Sequence, residues 1–241
     1  MKRALVWVVG GGMLLGACGG EPPPKAPEPA PEPVRATRPA APMKSSQELG
    51  QIDEGATNKT FESLQGKLLD CQKQGMQRVE YLSGDVRFFL RIAQDGSVRW
   101  AYLEDSTLGD RATEKCMVDV VTAARWPQPD GGEAEVQKGL SFDSGDARPP
   151  VAWRSEKVAD ALSKQADDAL HCKGGTSGTF KVTAYVEPSN GHKGKGGKVL
   201  SVGVASPNKD GDTKADCIAD AVKDWKLPSP GGYAAKVTFN L

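Results

Sequence analysis

The chain has 241 residues, 38% of them hydrophobic and 26% charged, with 31 basic residues against 31 acidic. This balance does not suggest a nucleic-acid partner, which needs a basic face. The length allows one ordinary domain or two small ones after an N-terminal leader.

Lys2-Arg3 forms a basic n-region, and the apolar run Ala4 to Leu15 is too short to span a bilayer as a mature helix. Residues 1–17 are therefore read as a signal peptide. The sequence Leu15-Gly16-Ala17-Cys18 resembles a lipobox, so Cys18 is the expected lipidation site, with two or three acyl chains supplying stable anchoring. An ordinary secreted signal with an incidental cysteine is the alternative. Gly19 is not an Asp-type inner-membrane retention signal, which points to the outer membrane, facing the periplasm. Residues 18–56 are a linker holding nine of the 17 prolines between Pro22 and Pro42, mixed with Glu and Ala. Where polyproline-like, this segment extends about 3.1 Å per residue and spaces the folded part roughly 65 Å from a membrane.

A first module, residues 57–146, begins with Asn58-Lys59-Thr60 as a helix cap, followed by Phe61, Leu64, Leu68 and Cys71 at helical spacing. Val86, Phe88, Leu90 and Ile92 alternate with Arg87, Phe89 and Arg91 as a half-buried strand. Asp95-Gly96 then turns into a second strand, Val98 to Glu104. Beyond Ser106-Thr107-Leu108-Gly109, the stretch Asp110 to Arg125 places Ala112, Cys116, Val120 and Ala124 on one helix face. Trp126-Pro127 ends that helix, and Val136 to Phe142 is a closing strand.

A second module, residues 147–241, repeats the order. Ser155 caps a helix through Val158, Ala161, Leu162, Ala169 and Cys172. Phe180, Val182, Ala184 and Val186 alternate, Val199, Val202 and Val204 follow, and Cys217, Ile218, Ala221, Val222 and Trp225 share a helix face before a closing strand Ala235 to Leu241. Cys71 to Cys116 and Cys172 to Cys217 have the same separation, although the copies differ in loop lengths that compensate. Together with the element order and the paired tryptophans, this marks a tandem duplication. The fold class expected is α+β: two α-β-β-α-β modules, each a three-stranded sheet with two helices on one face. Each cysteine pair is expected to bridge the two helices of its module, as an exported chain allows. Four reduced core cysteines are the alternative.

The endings Trp126-Pro127-Gln128-Pro129-Asp130-Gly131-Gly132 and Trp225-Lys226-Leu227-Pro228-Ser229-Pro230-Gly231-Gly232 resemble the Trp, Pro, Gly signature of TonB C-terminal-like domains. The order Cys71, Asp95-Gly96-Ser97-Val98, Ser106-Thr107-Leu108-Gly109, Cys116 resembles the AgmX/PglI branch found in myxobacterial-type envelope proteins. Copy two keeps the cysteines and the ending but lacks clean hairpin and loop motifs. The resemblance covers roughly residues 60 to 241 and implies a periplasmic interaction module. Energy-transducing members use a membrane-spanning N-terminal helix, whereas this chain is read as lipid-anchored, which argues against force transmission.

No Gly-x-Ser-x-Gly elbow, His-Glu-x-x-His pair or Cys-x-x-Cys motif occurs, and His171 and His192 lie on different elements without ligand-like neighbours. His171 reads as an exposed helix-end residue, and Asp167-Asp168 as solvated surface. Trp126 and Trp225 read as structural. The Gly191–Lys198 stretch reads as a hairpin tip whose Lys193, Lys195 and Lys198 are possible contacts to an anionic surface. The expected function is a non-enzymatic, lipid-anchored envelope adaptor or scaffold. Its partners are the membrane, through its anchor, and an envelope protein, with strand addition at a sheet edge as the binding mode. No cofactor, metal, nucleic acid or small-molecule substrate is expected. Peptidoglycan or polysaccharide binding is the alternative, and an uncharacterised hydrolase a third reading.

Overall fold

The first helix starts earlier than the Asn58–Thr60 cap suggests. Helix α1 spans Glu54–Met76 because the Asp53 carboxylate accepts the Ala56 N–H at 2.6 Å, satisfying an orphan donor of the first turn. Its apolar stripe is the expected one, with Phe61, Leu64, Leu68 and Cys71 all buried. Strands β1 (Gly84–Ile92) and β2 (Val98–Ser106) form a hairpin, helix α2 (Arg111–Thr122) follows, and β3 (Ala134–Phe142) closes the copy. The sheet order is β2-β1-β3. This computed structural model describes residues 49–189 and 196–241, and Ser45–Leu241 form one compact unit with an α+β fold.

The second copy contains β4 (Val151–Ala152), a 3-10 turn (Ser155–Lys157), α3 (Ala159–Ser163), α4 (Ala166–Lys173), β5 (Lys181–Pro188), β6 (Gly196–Ala205), α5 (Lys209–Lys223), β7 (Lys226–Pro228) and β8 (Ala235–Asn240). Its sheet is five-stranded, in the order β4-β8-β5-β6-β7, not the three-stranded sheet expected. Two additions account for the difference. The inter-copy segment pairs in parallel with β8 as β4, and β6 starts early enough for Gly196–Lys198 to pair with Lys226–Pro228 as β7. The single helix expected from Ser155 to Cys172 is also broken. At the break, the Gln165 side chain accepts the Lys226 N–H at 2.7 Å and donates to the Lys226 C=O at 2.9 Å, tying α3 and α4 to the start of β7.

The two sheets treat their helix-free faces differently. On the first, Arg87 pairs with Glu104 and Asp105, and Arg91 with Glu133 and Glu135, so the face is a charged one, open at Arg87 and largely enclosed at Arg91 and Glu133. On the second, Thr183, Tyr185, Ser201 and Ala205 are buried against the first copy. The Tyr185 ring enters the first copy's core, and its hydroxyl donates to the Ser83 C=O at 2.9 Å while accepting the Ser83 N–H at 3.1 Å.

Disulfides join Cys71 to Cys116 and Cys172 to Cys217, each across 45 residues, with Cα–Cα distances of 5.8 and 5.6 Å. Equal loops restrict the unfolded chain equally, by about 4 kcal/mol each in a chain-entropy account. The folded-state consequences differ, because α1 has 23 residues and a long buried stripe while α4 has eight, with Ala169 its one buried residue. Replacing Cys172 and Cys217 by Ala is expected to expose α4 to rapid amide hydrogen exchange. The Cys71→Ala/Cys116→Ala protein should keep α1 protected until global unfolding. Hydrogen-exchange mass spectrometry distinguishes the two, and equal loss of protection in both helices would contradict the asymmetry.

Candidate functional site

Strand β3 lies at the sheet edge, and its free backbone groups follow from the pairing. Asp85 turns both backbone groups toward β2: its C=O accepts the Thr107 N–H at 2.8 Å, and its N–H goes to the Thr107 hydroxyl at 2.9 Å. Backbone groups alternate sides along a strand, so Val86, Phe88 and Leu90 turn theirs toward their β3 partners Leu140, Lys138 and Val136. The outward N–H and C=O groups of β3 therefore belong to Glu135, Gln137, Gly139 and Ser141. No strand covers them among the described residues.

A groove runs beside this edge, between β3 and α1. One depression of about 700 Å³ is lined by Ile52, Thr57, Phe61 and Val136; a second, of about 200 Å³, by Leu68, Leu69, Leu140 and Phe142. Lys138 separates them, donating to the Asn58 side chain at 2.8 Å and lying 5.9 Å from the Phe61 ring centroid. The site thus offers unpaired backbone polarity along one wall and, along the other, side chains of mixed polarity such as Glu54, Asn58 and Phe61 around the larger depression and mainly apolar ones around the smaller.

The chain brings segments of its own to the corresponding edges, as isolated bridges in copy one and as the two-residue strand β4 in copy two. In copy one, the Gly50 N–H donates to the Glu133 C=O at 2.8 Å, with Leu49 and Glu133 in a parallel bridge. In copy two, the Val151 N–H donates to Ala234 C=O at 2.9 Å and the Trp153 N–H to Lys236 C=O at 2.8 Å, again in parallel. Gly50 and Val151, like Glu133 and Ala234, stand at the same offset as the paired cysteines. In copy one this pairing stops at Glu133, and the edge from Glu135 onward is open.

A fully buried carboxylate lies elsewhere, at the junction of the copies. Glu114 is fully buried: it accepts the Ser106 hydroxyl at 2.6 Å and the Val204 N–H at 2.8 Å, and burial raises its pKa against the pull of these bonds and of Arg111. Gly203 leaves the space that the Glu114 carboxylate occupies, since a Cβ there would collide with it. Neighbouring Asp110 accepts from Arg78, Ser201 and Thr113. Burial alone would raise its pKa, but these hydrogen bonds outweigh burial and hold it low. Such perturbation marks catalytic groups in open clefts. With no exposure and both oxygens committed to the fold, Glu114 is read as structural.

Cys18, Lys193, Lys195 and His192 lie outside the described residues. Lys198 is exposed on β6, opposite Glu187 and Lys226. His171 and Asp167-Asp168 are exposed on α4. Trp126 packs on Phe61 with ring centroids 4.7 Å apart and donates to the Val121 C=O, while Trp225 stacks on Phe239. Among the described residues, no group of three His, Cys, Asp or Glu could hold a metal ion, and no helix is long and apolar enough to cross a membrane. No family model, curated protein or solved structure matches this chain. Sequence reasoning missed the junction residues, although Thr183 and Tyr185 stand on a strand face where β1 carries Arg87, Phe89 and Arg91.

A carboxyl whose folded pKa is raised stabilises the fold below its unfolded pKa, and that contribution is lost as pH rises through the folded value. Glu114→Gln keeps an acceptor for Val204 and a partner for Ser106 without the charge. It should therefore be more stable than the parent at pH 7, with the gap closing toward pH 4. Urea unfolding at the two pH values checks this, and a variant less stable at both would contradict it.

Proposed function

We propose that this protein is a lipid-anchored component of the cell envelope that acts as a non-catalytic adaptor, accepting an extended segment of an envelope partner protein as an added strand on β3. The observation that carries this reading is the open edge from Glu135 to Ser141 beside a groove, on a fold whose second copy already takes up the short parallel strand β4 at the corresponding edge. Main-chain hydrogen bonds would supply affinity, and the depressions on either side of Lys138 would select alternate side chains of the incoming segment. The resemblance of the Trp, Pro, Gly endings to TonB C-terminal-like domains supports the same mode. The Pro-rich linker and Cys18 would hold the edge at a distance from the membrane.

Gln137→Pro removes an outward N–H, while the ladder to β1 uses the even-numbered residues; proline is tolerated on such edges. A photocrosslinking residue at Gln137 is expected to capture a specific partner in intact cells, where the same residue at Arg99 captures none. The Gln137→Pro chain, folded to within about 1 kcal/mol of the parent, should lose that partner in affinity capture. Retention of the partner by the proline variant would sink the strand-addition reading; recovery of peptidoglycan fragments instead would favour a glycan ligand. For the anchor, Cys18→Ser is expected to move the protein from the membrane to the soluble fraction of the envelope. Continued membrane association would contradict lipidation at that position.

A further inference from the structure

The first copy covers only part of the helix-free face of the five-stranded sheet. The remainder, carrying Lys236 and Thr238, floors a cleft of about 570 Å³ walled by Ser83 of the first copy and by Pro149, Trp153 and Arg154 of the segment between the copies. Lys236 Nζ donates to the Ser83 C=O at 2.6 Å and lies 5.3 Å from the centroid of the Tyr185 ring, both neutral partners. Among the described residues, neither Lys236 nor Arg154 forms an ion pair. The acidic groups acting on Lys236 are Asp85 on β1 and Glu114 on α2, with Glu156 at the cleft rim. They do not offset burial, which pushes the ammonium down to about 8. A half-buried ammonium with further N–H groups to satisfy is short of one negative partner.

The fold itself does not demand a cation at this place. The residue at the corresponding offset in the first copy is Glu135, which pairs with Arg91 at 2.8 Å. In the second copy the charge is reversed and left without a counter-ion, beside a second unpaired cation, two hydroxyls and an apolar wall. Lysine and arginine together satisfy an oxyanion through a point charge and a planar fork, while proline and tryptophan rings suit an apolar body attached to it.

We propose that this cleft binds a small organic carboxylate, its oxyanion held by Lys236 and Arg154, with Thr238 and Ser155 as hydroxyl partners and its apolar body against Pro149 and Trp153. This site is independent of the β3 edge and stands or falls without it.

Competitive acylation of the full-length protein, read lysine by lysine by mass spectrometry across pH, tests the proposal. Phenylacetate is the probe, inorganic phosphate the second anion, and chloride at matched ionic strength the control. Phenylacetate is expected to slow labelling of Lys236 and to raise its apparent pKa by about one unit, the effect of an opposite charge at contact distance, leaving other lysines unmoved. Arg154→Gln, at an exposed position, should fold normally and lose most of that protection. Lys236→Met should lose any rise in melting temperature that phenylacetate gives the parent. Protection by phosphate but not phenylacetate would overturn the assignment to an organic carboxylate. So would no protection by either anion, or full protection in Arg154→Gln.

Discussion

A sheet with helices on one face must do something with the other, and the whole arrangement of this molecule depends on how that requirement is met. In the first copy the face is charged and self-paired: Arg87 reaches carboxylates on β2, Arg91 reaches Glu133 and Glu135, and Phe89 stacks on Tyr102 between them. In the second copy the centre of that face holds the uncharged Thr183, Tyr185, Ser201 and Gly203, with the charged Lys181 and Lys236 toward its margins. That uncharged centre is stable only when covered, and the cover is the first copy: the start of α2, the end of β2 and the Ser83 turn. The hydrophobic gain from enclosing Tyr185 is tied to a polar condition. Every buried hydroxyl, carboxylate and N–H brought in with it needs a partner, which Glu114, Asp110 and Ser83 provide.

This explains why a carboxylate sits at the centre of a buried contact. β6 has lost a pairing strand beyond Lys198, so its N–H groups need acceptors from elsewhere. Glu114 accepts one at Val204 and the Leu103 C=O another at Ser206. Gly203 is what permits the approach, and Gly109, at φ +81°, lets the loop ahead of α2 pass against the Tyr185 ring. Outside the dry centre, Arg111 and Lys115 pair with Asp212 and Asp216, and Lys181 with Asp105. The Lys115 pair is exposed and adds little stability, whereas Arg111 is largely enclosed by its partners.

Much of the architecture was legible in the sequence because it follows from periodicity. The stripe Phe61, Leu64, Leu68, Cys71 and the alternation Val86, Phe88, Leu90, Ile92 are one-dimensional patterns with one structural meaning. The cysteine pairs were readable for the same reason, as they mark corresponding helices. What periodicity cannot carry is contact between copies. Phe180, Val182, Ala184 and Val186 were read as one half-buried face. The information that both faces are buried lay in the uncharged residues between them, and their partners are distant in sequence. The broken helix was illegible too, since the break at Gln165 is set by its amide meeting the Lys226 backbone, a contact no local propensity encodes. The β3 edge was expected only in kind; which residues face outward needed the register to Asp85.

The two copies carry different parts of the structure. The second copy gives one sheet face to the junction, closes one edge with β7 and part of the other with β4, and retains a first helix in two short pieces. The first copy keeps a 23-residue α1 and a nine-residue β3 whose outer edge is free beyond Glu133. A strand-accepting edge must be held straight against a firm wall, or the entropy of ordering it is charged to each binding event. Here the wall is α1, fixed to α2 by Cys71–Cys116, and α2 is fixed in turn by Glu114 and Asp110 to the second sheet. The proposed binding edge, its wall and the junction are thus joined by one continuous path of packed elements, in which the second copy braces the first.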